Sequence, residues 1–414
     1  MDKREWRPGS EAPEVRQQLN MRFIGIDVGS ETHVVAVVDE SGKVVFKAAS
    51  FSEDADGYAK FRQILGAPGD AMCALEATGH YWQNLFAFLA AEGFPVALLN
   101  PLRTHHFAAE DLRRAKTDAI DALSIARFAQ QKRPAVTVLP DEATLELREM
   151  VRLRDRMMED LGDRIRQLHR TLDLTFPEFP RLVRDLSSYK ATALLLRFPT
   201  ATAFREASPG NIAEMRYDGR HRIGPELAAA LCDTAGRSVG RHEGPSYRLQ
   251  TQYACEDIST LRERLKTLDE DIHRSLGQHR VGQLLTTIDG IGPNTAARVI
   301  AEVNLLAFRD AGALAAYVGV APSVNQSGKR VPQRGGLHSV GHARLRAKLW
   351  MPTLRAVRNN AWLRHFYEGL VARGKPKKLA LVAALRKLLS AMLSVARSGK
   401  PFEPRLPEAA ISLA

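Results

Sequence analysis

The sequence has few of the features that mark secreted or membrane proteins. It contains three cysteines, Cys73, Cys232 and Cys255, in 414 residues, and their spacing matches no zinc-binding pattern. It has no run of about 18 apolar residues, and residues 1–20 lack the apolar segment of a signal peptide. These absences predict a cytoplasmic protein without a membrane span. Its cysteines are expected to be reduced thiols that pack as small apolar groups. Residues 1–20 are expected to form a flexible extension before the first strand.

Acidic side chains are scarce at one end of the chain. The formal net charge is +12, but residues 321–400 hold 17 Lys and Arg against one acid, Glu368, so this segment alone carries +16. Ribosome-associated and membrane-surface proteins can share such a charge. A basic segment on a near-neutral body is nevertheless more typical of a nucleic-acid surface, because each cation that meets a phosphate releases a counterion.

Residues 21–135 have the pattern of an α/β domain. Apolar, β-branched runs at 23–28, 34–38 and 44–46 are separated by turn residues, which indicates three antiparallel strands. Helical and strand patterns then alternate up to about Gln131. Three hairpin strands followed by alternating helices and strands predict a mixed sheet of the ribonuclease-H-like (RuvC-like) type.

Two heptad patterns characterise the predicted helical middle region, residues 140–280. The first contains Arg154 at one core position, and the two could pair within the chain or between two chains. We therefore expect either one helical bundle or a coiled coil that also dimerises; the stretch 178–250 is helical and is assigned no activity. Apart from Arg154, the core positions of the two patterns are apolar: Leu147, Val151, Met158, Leu161, Ile165, Leu168 and Leu172; Ile258, Leu261, Leu265, Leu268, Ile272 and Leu276.

The C-terminal part, residues 281–402, is predicted to be a mainly helical domain followed by a tail, 403–414. Its segment LLTTIDGIGPNTAARVIAEV has the pattern of a helix-hairpin-helix, with Gly290 and Gly292 in the turn. The backbone amides of such a turn and the start of the next helix can hold a DNA phosphate.

Four acids have positions that favour a metal site. Asp27 and Glu76 each end an apolar strand, where a carboxylate is costly unless it is paired or binds a metal. Asp118 and Asp121 are three residues apart at the start of a helix, and so share one face. Each position alone has an ordinary explanation, as a turn, a rim ion pair or a helix N-terminal acid. Together they predict one or two hard cations bound through oxygen, Mg²⁺ or Mn²⁺.

A cationic loop contains a candidate nucleophile. Ser327 precedes Gly328 and is followed by Lys329, Arg330 and Arg334. Nearby cations would ease formation of a serine alkoxide and stabilise the transition state of attack on a phosphate. A Ser-Gly pair in a polar loop is, taken alone, most often a solvent-exposed turn, and Ser323 is a poorer alternative.

With these residues in place, the chain from about Met21 to Phe402 resembles one family. It is similar to the DEDD transposases of bacterial insertion sequences, insertion-sequence family 110, also called bridge-RNA-guided recombinases. The similarity lies in GIDVGSETHVVAVVD, LEATGHYW, LLNPLRTHHFA and AKTDAIDALSIARF, and later in IDGIGPNTAARVIAEV, LAAYVGVAPSVNQSGKR and the RKLL stretch at 386–389.

The resemblance implies a function for both sets of residues. It implies that Asp27, Glu76, Asp118 and Asp121 are the family's four metal-binding acids, and that Ser327 attacks a DNA phosphate to form a covalent link. It further implies donor and target DNA, a structured guide RNA, and an oligomer in which acids and serine of different subunits share one site. Further nucleic-acid contacts are expected at Lys116, Gly290, Gly292, Lys329, Arg330, Arg334, Arg344 and Arg346.

The chain departs from the family pattern at Gln326, where a second serine is common, and in LHSVGHARLR, where a KRGN-like stretch is common. Three other functions remain open. A junction nuclease would use the metals alone, with Ser327 a bystander. An actin-like ATPase would explain GIDVGS but needs a second phosphate motif, for which IDGIG is the single candidate. A non-catalytic RNA-binding scaffold would not need the intact acids.

Overall fold

The computed structural model describes residues 21–110, 117–325, 333–337 and 341–404. In residues 322–325 and 333–337 the description covers the backbone alone. The predicted extension over 1–20 and positions 405–414 of the predicted tail lie outside the described residues. The chain divides between Leu139 and Pro140 into two compact units.

The strands of the first unit form a mixed sheet. Their bounds are β1 Arg22–Asp27, β2 Thr32–Val38, β3 Val44–Ser52, β4 Ala71–Glu76 and β5 Val96–Leu99. The order across the sheet is β3-β2-β1-β4-β5, in which β1, β2 and β3 are antiparallel while β4 and β5 run parallel to β1. The predicted α/β domain with a mixed sheet is confirmed, although β3 is longer than the run at 44–46 indicated.

Helices cover both faces of this sheet. They are α1 Ala55–Leu65, α2 Trp82–Ala91, α3 Pro101–Glu110 and α4 Asp118–Lys132. One face packs Ile24, Ile26 and Leu75 against α1 and α2, and the other packs Phe23 against α4. The sheet is therefore buried on both sides, which explains why β1 and β4 are almost wholly apolar until their last residues.

The second unit is mainly helical. Its helices are α5 Glu142–Thr175, α6 Phe179–Leu182, α7 Tyr189–Arg197, α8 Ala201–Glu206, α9 Pro209–Glu214, α10 Pro225–Gly236, α11 Pro245–Gln278, α12 Arg280–Leu285, α13 Pro293–Glu302, α14 Ala311–Val318, α15 Ala343–Asn359, α16 Ala361–Ala372 and α17 Lys377–Ser398. A two-stranded antiparallel ribbon, β6 Pro322–Asn325 and β7 Gln333–Leu337, lies between α14 and α15. The sequence pattern indicated a polar loop there, because β6 has only four residues and β7, QRGGL, does not alternate apolar and polar residues.

The two heptad patterns form α5 and α11, which pack against each other within the chain. Arg154 takes its expected place in the seam and donates to Asp269 of α11 across 2.5 Å. Each end of the pair enters a different core. At one end Leu168 and Ile258 pack with α6–α10, and at the other Leu147 and Ile272 pack with α12–α17, so the long helices join two helical modules.

Helix α17 is the one described helix that is long and apolar enough by composition to span a membrane. Most of that apolar surface is buried in the protein, where Leu385, Leu388 and Met392 are fully enclosed. The composition of α17 is therefore explained by its position in the core. The three cysteines are free thiols, with Cys73 and Cys255 buried among apolar side chains as predicted.

Candidate active site

Asp27 and Glu76 stand at equivalent positions on neighbouring parallel strands. In the pairing of β1 with β4, Ile26 lies opposite Leu75, and each acid is the next residue. Because side chains alternate between the two faces of a sheet, both acids share the face that carries Phe23 and is covered by α4. Both are half-buried. The two strand-end acids are thus brought side by side by the register of the sheet.

Gly25 places the other two acids. A Cβ atom at Gly25 would lie 2.2 Å from the backbone nitrogen of Ala126 and 2.3 Å from the carbonyl oxygen of Ala122, so only glycine lets α4 approach β1 this closely. Asp118 and Asp121 form the first turn of α4, just before Ala122. The close crossing of helix and strand therefore brings this turn to the end of β1.

Thr117 defines where α4 starts. Its hydroxyl accepts a hydrogen bond from the backbone nitrogen of Ile120 at 3.3 Å, as an N-cap residue does. Asp118 is exposed and Asp121 half-buried. Acids in a first helical turn also complement the helix dipole, so the position of these two alone does not require a ligand.

One cleft in the first unit, of about 880 Å³, is lined by all four acids. Across the described parts of the chain, however, no three His, Cys, Asp or Glu side chains lie near enough to one another to hold a metal ion. Asp27, Glu76, Asp118 and Asp121 therefore share a cleft without forming a finished coordination site. The donor chemistry fits a hard cation, since carboxylate oxygens are the ligands that Mg²⁺ and Mn²⁺ prefer.

The opposite face of the sheet carries a polar network. The buried ring of His33 lies with Nε2 2.5 Å from a carboxylate oxygen of Glu53, which also accepts from the Tyr58 hydroxyl at 2.6 Å and the Asn84 amide at 3.0 Å. Burial acts to raise the pKa of Glu53, but these hydrogen bonds outweigh it and lower the pKa. Burial, and then the Glu53 carboxylate, raise the pKa of Tyr58. The charged carboxylate joins β2, α1 and α2 behind the cleft.

In the second unit, the predicted helix-hairpin-helix consists of α12, a turn and α13. Gly290 has φ +95°, and a Cβ there would lie 2.4 Å from the Cα of Ala356, so the turn is packed tightly on α15. Gly292 caps α13 and has no atom near its missing Cβ. The packing explains Gly290 without a ligand, whereas the open approach to Gly292 leaves room for one.

Two predicted nucleic-acid contacts, Arg344 and Arg346, have partners within the protein. Arg346 donates to the carbonyl oxygens of Val318 and Gly319 at 3.4 and 3.1 Å. Arg344 lies 2.9 Å from Asp155, although almost half of its side chain remains exposed. Arg346 therefore supports the fold, and Arg344 is split between the protein and solvent.

Asp155 is a buried charge that the sequence did not reveal. Arg298 holds both of its carboxylate oxygens, at 2.5 and 2.6 Å, and Arg344 and Lys348 add contacts at 2.9 and 3.1 Å. Burial opposes ionisation of this carboxyl, but the cations outweigh burial and lower the pKa of Asp155 to about 2. This cluster ties α5 to α13 and α15.

Of the predicted serine loop, residues 322–330, the structure describes 322–325, which form β6. Ser327, Lys329 and Arg330 lie outside the described residues, as does Lys116. Arg334 is described by its backbone, which pairs with Val324. Residues that precede and follow the ribbon are hydrogen-bonded to each other: the backbone nitrogen of His342 donates to the carbonyl oxygen of Tyr317 at 2.7 Å.

Comparison with known proteins matches both units to one family. Residues 24–177 match the family model of the IS110-type DEDD transposases, described as "Transposase", and residues 282–368 match the model described as "Transposase IS116/IS110/IS902 family". The chain belongs to the IS110 family of transposases. The first match includes the four acids, and the second includes the glycine turn, the β6–β7 ribbon and position 327.

Relatives that cover most of the chain agree with this assignment to the IS110 family. The insertion element IS116 protein of Streptomyces clavuligerus is 26% identical over 93% of this chain and 97% of its own length. The pilin gene-inverting protein of Moraxella bovis is 21% identical over 94% of this chain and 100% of its own. The mini-circle putative transposase for IS117 of Streptomyces coelicolor is 26% identical over 74% and 78%. The chain is accordingly a DNA transposase, an enzyme of recombination.

The cleft of this IS110 transposase also contains polar residues that the motifs in its sequence did not indicate. The sequence spacing could have identified three of these residues. Ser124, Arg127 and Gln131 follow Asp121 at intervals of three, three and four positions, the spacing of one helical face. The polar side chains that line the cleft besides the acids are Thr78, Thr104, His105, Ser124, Arg127 and Gln131.

Proposed function

We propose that this transposase cleaves and exchanges DNA strands of an insertion sequence, with Ser327 as the nucleophile and with Asp27, Glu76, Asp118 and Asp121 as ligands of Mg²⁺ or Mn²⁺. The observation that carries the proposal is the arrival of four carboxylates at one cleft from β1, β4 and α4. The strand order supports a ribonuclease-H-like fold for this unit. Such a concentration of negative charge does not suit a DNA phosphate unless cations neutralise it.

The metal would supply charge neutralisation and polarise the phosphate oxygens when bound. Asp27 and Glu76 are fixed by the sheet, while Asp118 and Asp121 belong to the first turn of a helix that follows residues 111–116. Binding of a cation would draw these four carboxylates, which line one cleft, toward a common centre.

Ser327 would provide the covalent step. Its Oγ forms a bond to phosphorus as the bond from phosphorus to the leaving deoxyribose oxygen breaks, and the net result transfers the hydroxyl proton to that oxygen. Lys329, Arg330 and Arg334 would stabilise the charge that develops on the phosphate. From membership of the IS110 family we further propose a homo-oligomer in which the acids and the serine of different subunits form one composite site.

A structured guide RNA from the element would select the donor and target DNA. Under this proposal the protein recognises mainly phosphate backbone and shape, which suits the dispersed basic residues of 321–400. Gly292, at the open start of α13, is the better phosphate contact of the two turn glycines. Lys116 and the exposed part of Arg344 would add to this surface, and the reaction would take place on cytoplasmic DNA.

The deciding experiment compares Ser327→Ala with Ser323→Ala. Ser327→Ala is expected to abolish both strand exchange and the covalent protein–DNA adduct seen on denaturing gels, while Ser323→Ala retains both. Strand cleavage that survives in Ser327→Ala without an adduct would favour the junction nuclease that uses metals alone. Asp121→Asn is expected to lose metal-dependent cleavage in either case, so retained cleavage in that variant would contradict the proposed metal site.

A further inference from the structure

The exposed side of α4 presents a polar stripe to the cleft. Beyond Asp121, the residues that line the cleft along this helix include Ser124, Arg127 and Gln131. Their spacing keeps them on one face, so the stripe leads away from the acids along the helix axis. A stripe of hydrogen-bond donors that begins at an acidic cluster has no explanation in the packing of α4, which uses its other face.

Arg127 differs from the other Arg and Lys side chains of α3 and α4. Arg103 lies over the ring of Phe128 at 5.4 Å, and Lys132 lies over that of Phe107 at 5.7 Å. Arg133 pairs with Glu40 at 2.9 Å and also stacks on an aromatic ring. Arg127 is half-buried in the cleft wall, and among the described residues it has neither an acidic partner nor a ring.

We propose that Arg127 binds a backbone phosphate of the DNA strand that is cut at the acidic cluster, and thereby positions this strand along α4. A guanidinium can hold two phosphate oxygens at once, which a partly enclosed cleft wall favours. The inference rests on the proposed cleavage of DNA in this cleft. Arg127 is a positioning residue in this role, because it holds the strand rather than the reacting phosphate.

The helix geometry sets which phosphate this is. Arg127 is six positions after Asp121, a rise of about 9 Å at 1.5 Å per residue. For a B-form duplex whose axis runs along α4 and which advances 3.4 Å per nucleotide, this rise corresponds to a phosphate about two to three nucleotides from the one that is cut. Ser124, between the two, and Gln131, beyond Arg127, offer uncharged donors on the same line.

The test measures the salt dependence of DNA binding by full-length protein. Binding of a fluorescent duplex is followed by anisotropy between 50 and 200 mM salt with Ca²⁺ in place of Mg²⁺. Loss of one phosphate contact lowers the slope of log affinity against log salt by about 0.9. Arg127→Gln should therefore lose about 3.5-fold less affinity over this fourfold range than the wild type, and Arg127→Lys should keep the wild-type slope.

Arg103→Gln is the matched control, since it removes the same charge from the neighbouring helix outside the cleft lining. It should keep the wild-type slope. An Arg127→Gln slope equal to that of Arg103→Gln would overturn the proposal. Far-ultraviolet circular dichroism of all variants checks that the fold is retained, and Arg127→Met, which also lacks the charge, takes the place of Arg127→Gln if Arg127→Gln is unstable.

A second measurement separates this inference from the proposed function. Single methylphosphonates, which are uncharged, are placed along the strand, and their effect on binding is compared in wild type and Arg127→Gln. The proposal is supported if a methylphosphonate two to three nucleotides from the cut weakens binding by the wild type but not by Arg127→Gln. It is overturned if no methylphosphonate affects the two proteins differently. If the wild type binds DNA and shows this coupling near the element end but cleaves nothing, the proposed function fails while the contact stands.

Discussion

Replacing Asp155 with Asn should strongly destabilise the second unit. The substitution keeps the shape of the side chain but removes the charge that Arg298 meets with two hydrogen bonds, and both side chains are almost fully buried, at 1% and 9% exposure. Arg344 and Lys348 lose the same partner but can turn to solvent. Because Arg298 would remain charged in a buried site, the expected loss is about 3–5 kcal/mol.

That loss converts into a measurable change in melting temperature. The unit spans residues 140–414, and unfolding entropy is about 2.1 cal/mol/K per residue, or roughly 0.6 kcal/mol/K for the unit. Asp155→Asn should then lower the melting temperature of this unit by about 5–9 °C. Differential scanning calorimetry is the assay, because it can resolve separate transitions of the two units.

Two further variants distinguish the loss of the buried charge from other effects of the substitution. Asp163→Asn on the same helix removes an acid whose partner Arg166 is exposed, so its melting temperature should match the wild type. The pair Asp155→Leu with Arg298→Met removes both buried charges and should recover most of the stability. A loss below about 1 kcal/mol in Asp155→Asn would show that the buried pair does not stabilise the unit as argued.

The same carboxyl gives a pH dependence. Its pKa falls from an ordinary value near 3.8 to about 2 in the fold, so the unfolded chain binds the proton more tightly. Its contribution, about 2 kcal/mol, is therefore complete above about pH 4 and is lost as the pH falls toward 2. Stability measured from pH 5 to 2 should fall less steeply in Asp155→Asn than in the wild type.

Two glycine substitutions test the packing that positions the sites. Gly25→Ala would force a Cβ to within 2.2 Å of the α4 backbone, so it should destabilise the first unit by about 1–3 kcal/mol. It should also weaken metal binding, which titration calorimetry measures. Gly69→Ala, where the space is open, is its control. Gly290→Ala combines φ +95° with a clash against Ala356 and should lower the melting temperature of the second unit, while Gly292→Ala should not.

The first unit was predictable because its signals are local. The strand runs around Asp27 and Glu76 are apolar on both faces, as a doubly covered sheet requires, and their ends are marked by the acids themselves. Thr117 followed by two acids is a strong helix start. That these elements meet at one cleft follows from sheet register and from Gly25; the sequence predicted the order of the elements but not this register.

The charge pairs of the second unit were not predictable in this way. Asp155 and Arg298 are separated by 143 positions, and nothing in a heptad pattern distinguishes a buried acid from one on the helix surface. Arg154, one position earlier, was noticed because it interrupted an apolar seam. The β6–β7 ribbon was missed because Gln333–Leu337 is rich in glycine, which removes the alternation by which a strand is recognised.

Pairings within the fold reduce the number of C-terminal cations that can bind DNA phosphates. The 17 cations of residues 321–400 set an upper limit on phosphate contacts there, but several are occupied by the fold. Lys348 meets Asp155, Arg346 holds carbonyl groups, and Lys387 lies between two aromatic rings, where burial lowers its pKa. A cation that must leave such a partner gains less from a phosphate than one that faces water. The salt slope of DNA binding should accordingly correspond to fewer contacts than the net charge of this segment suggests.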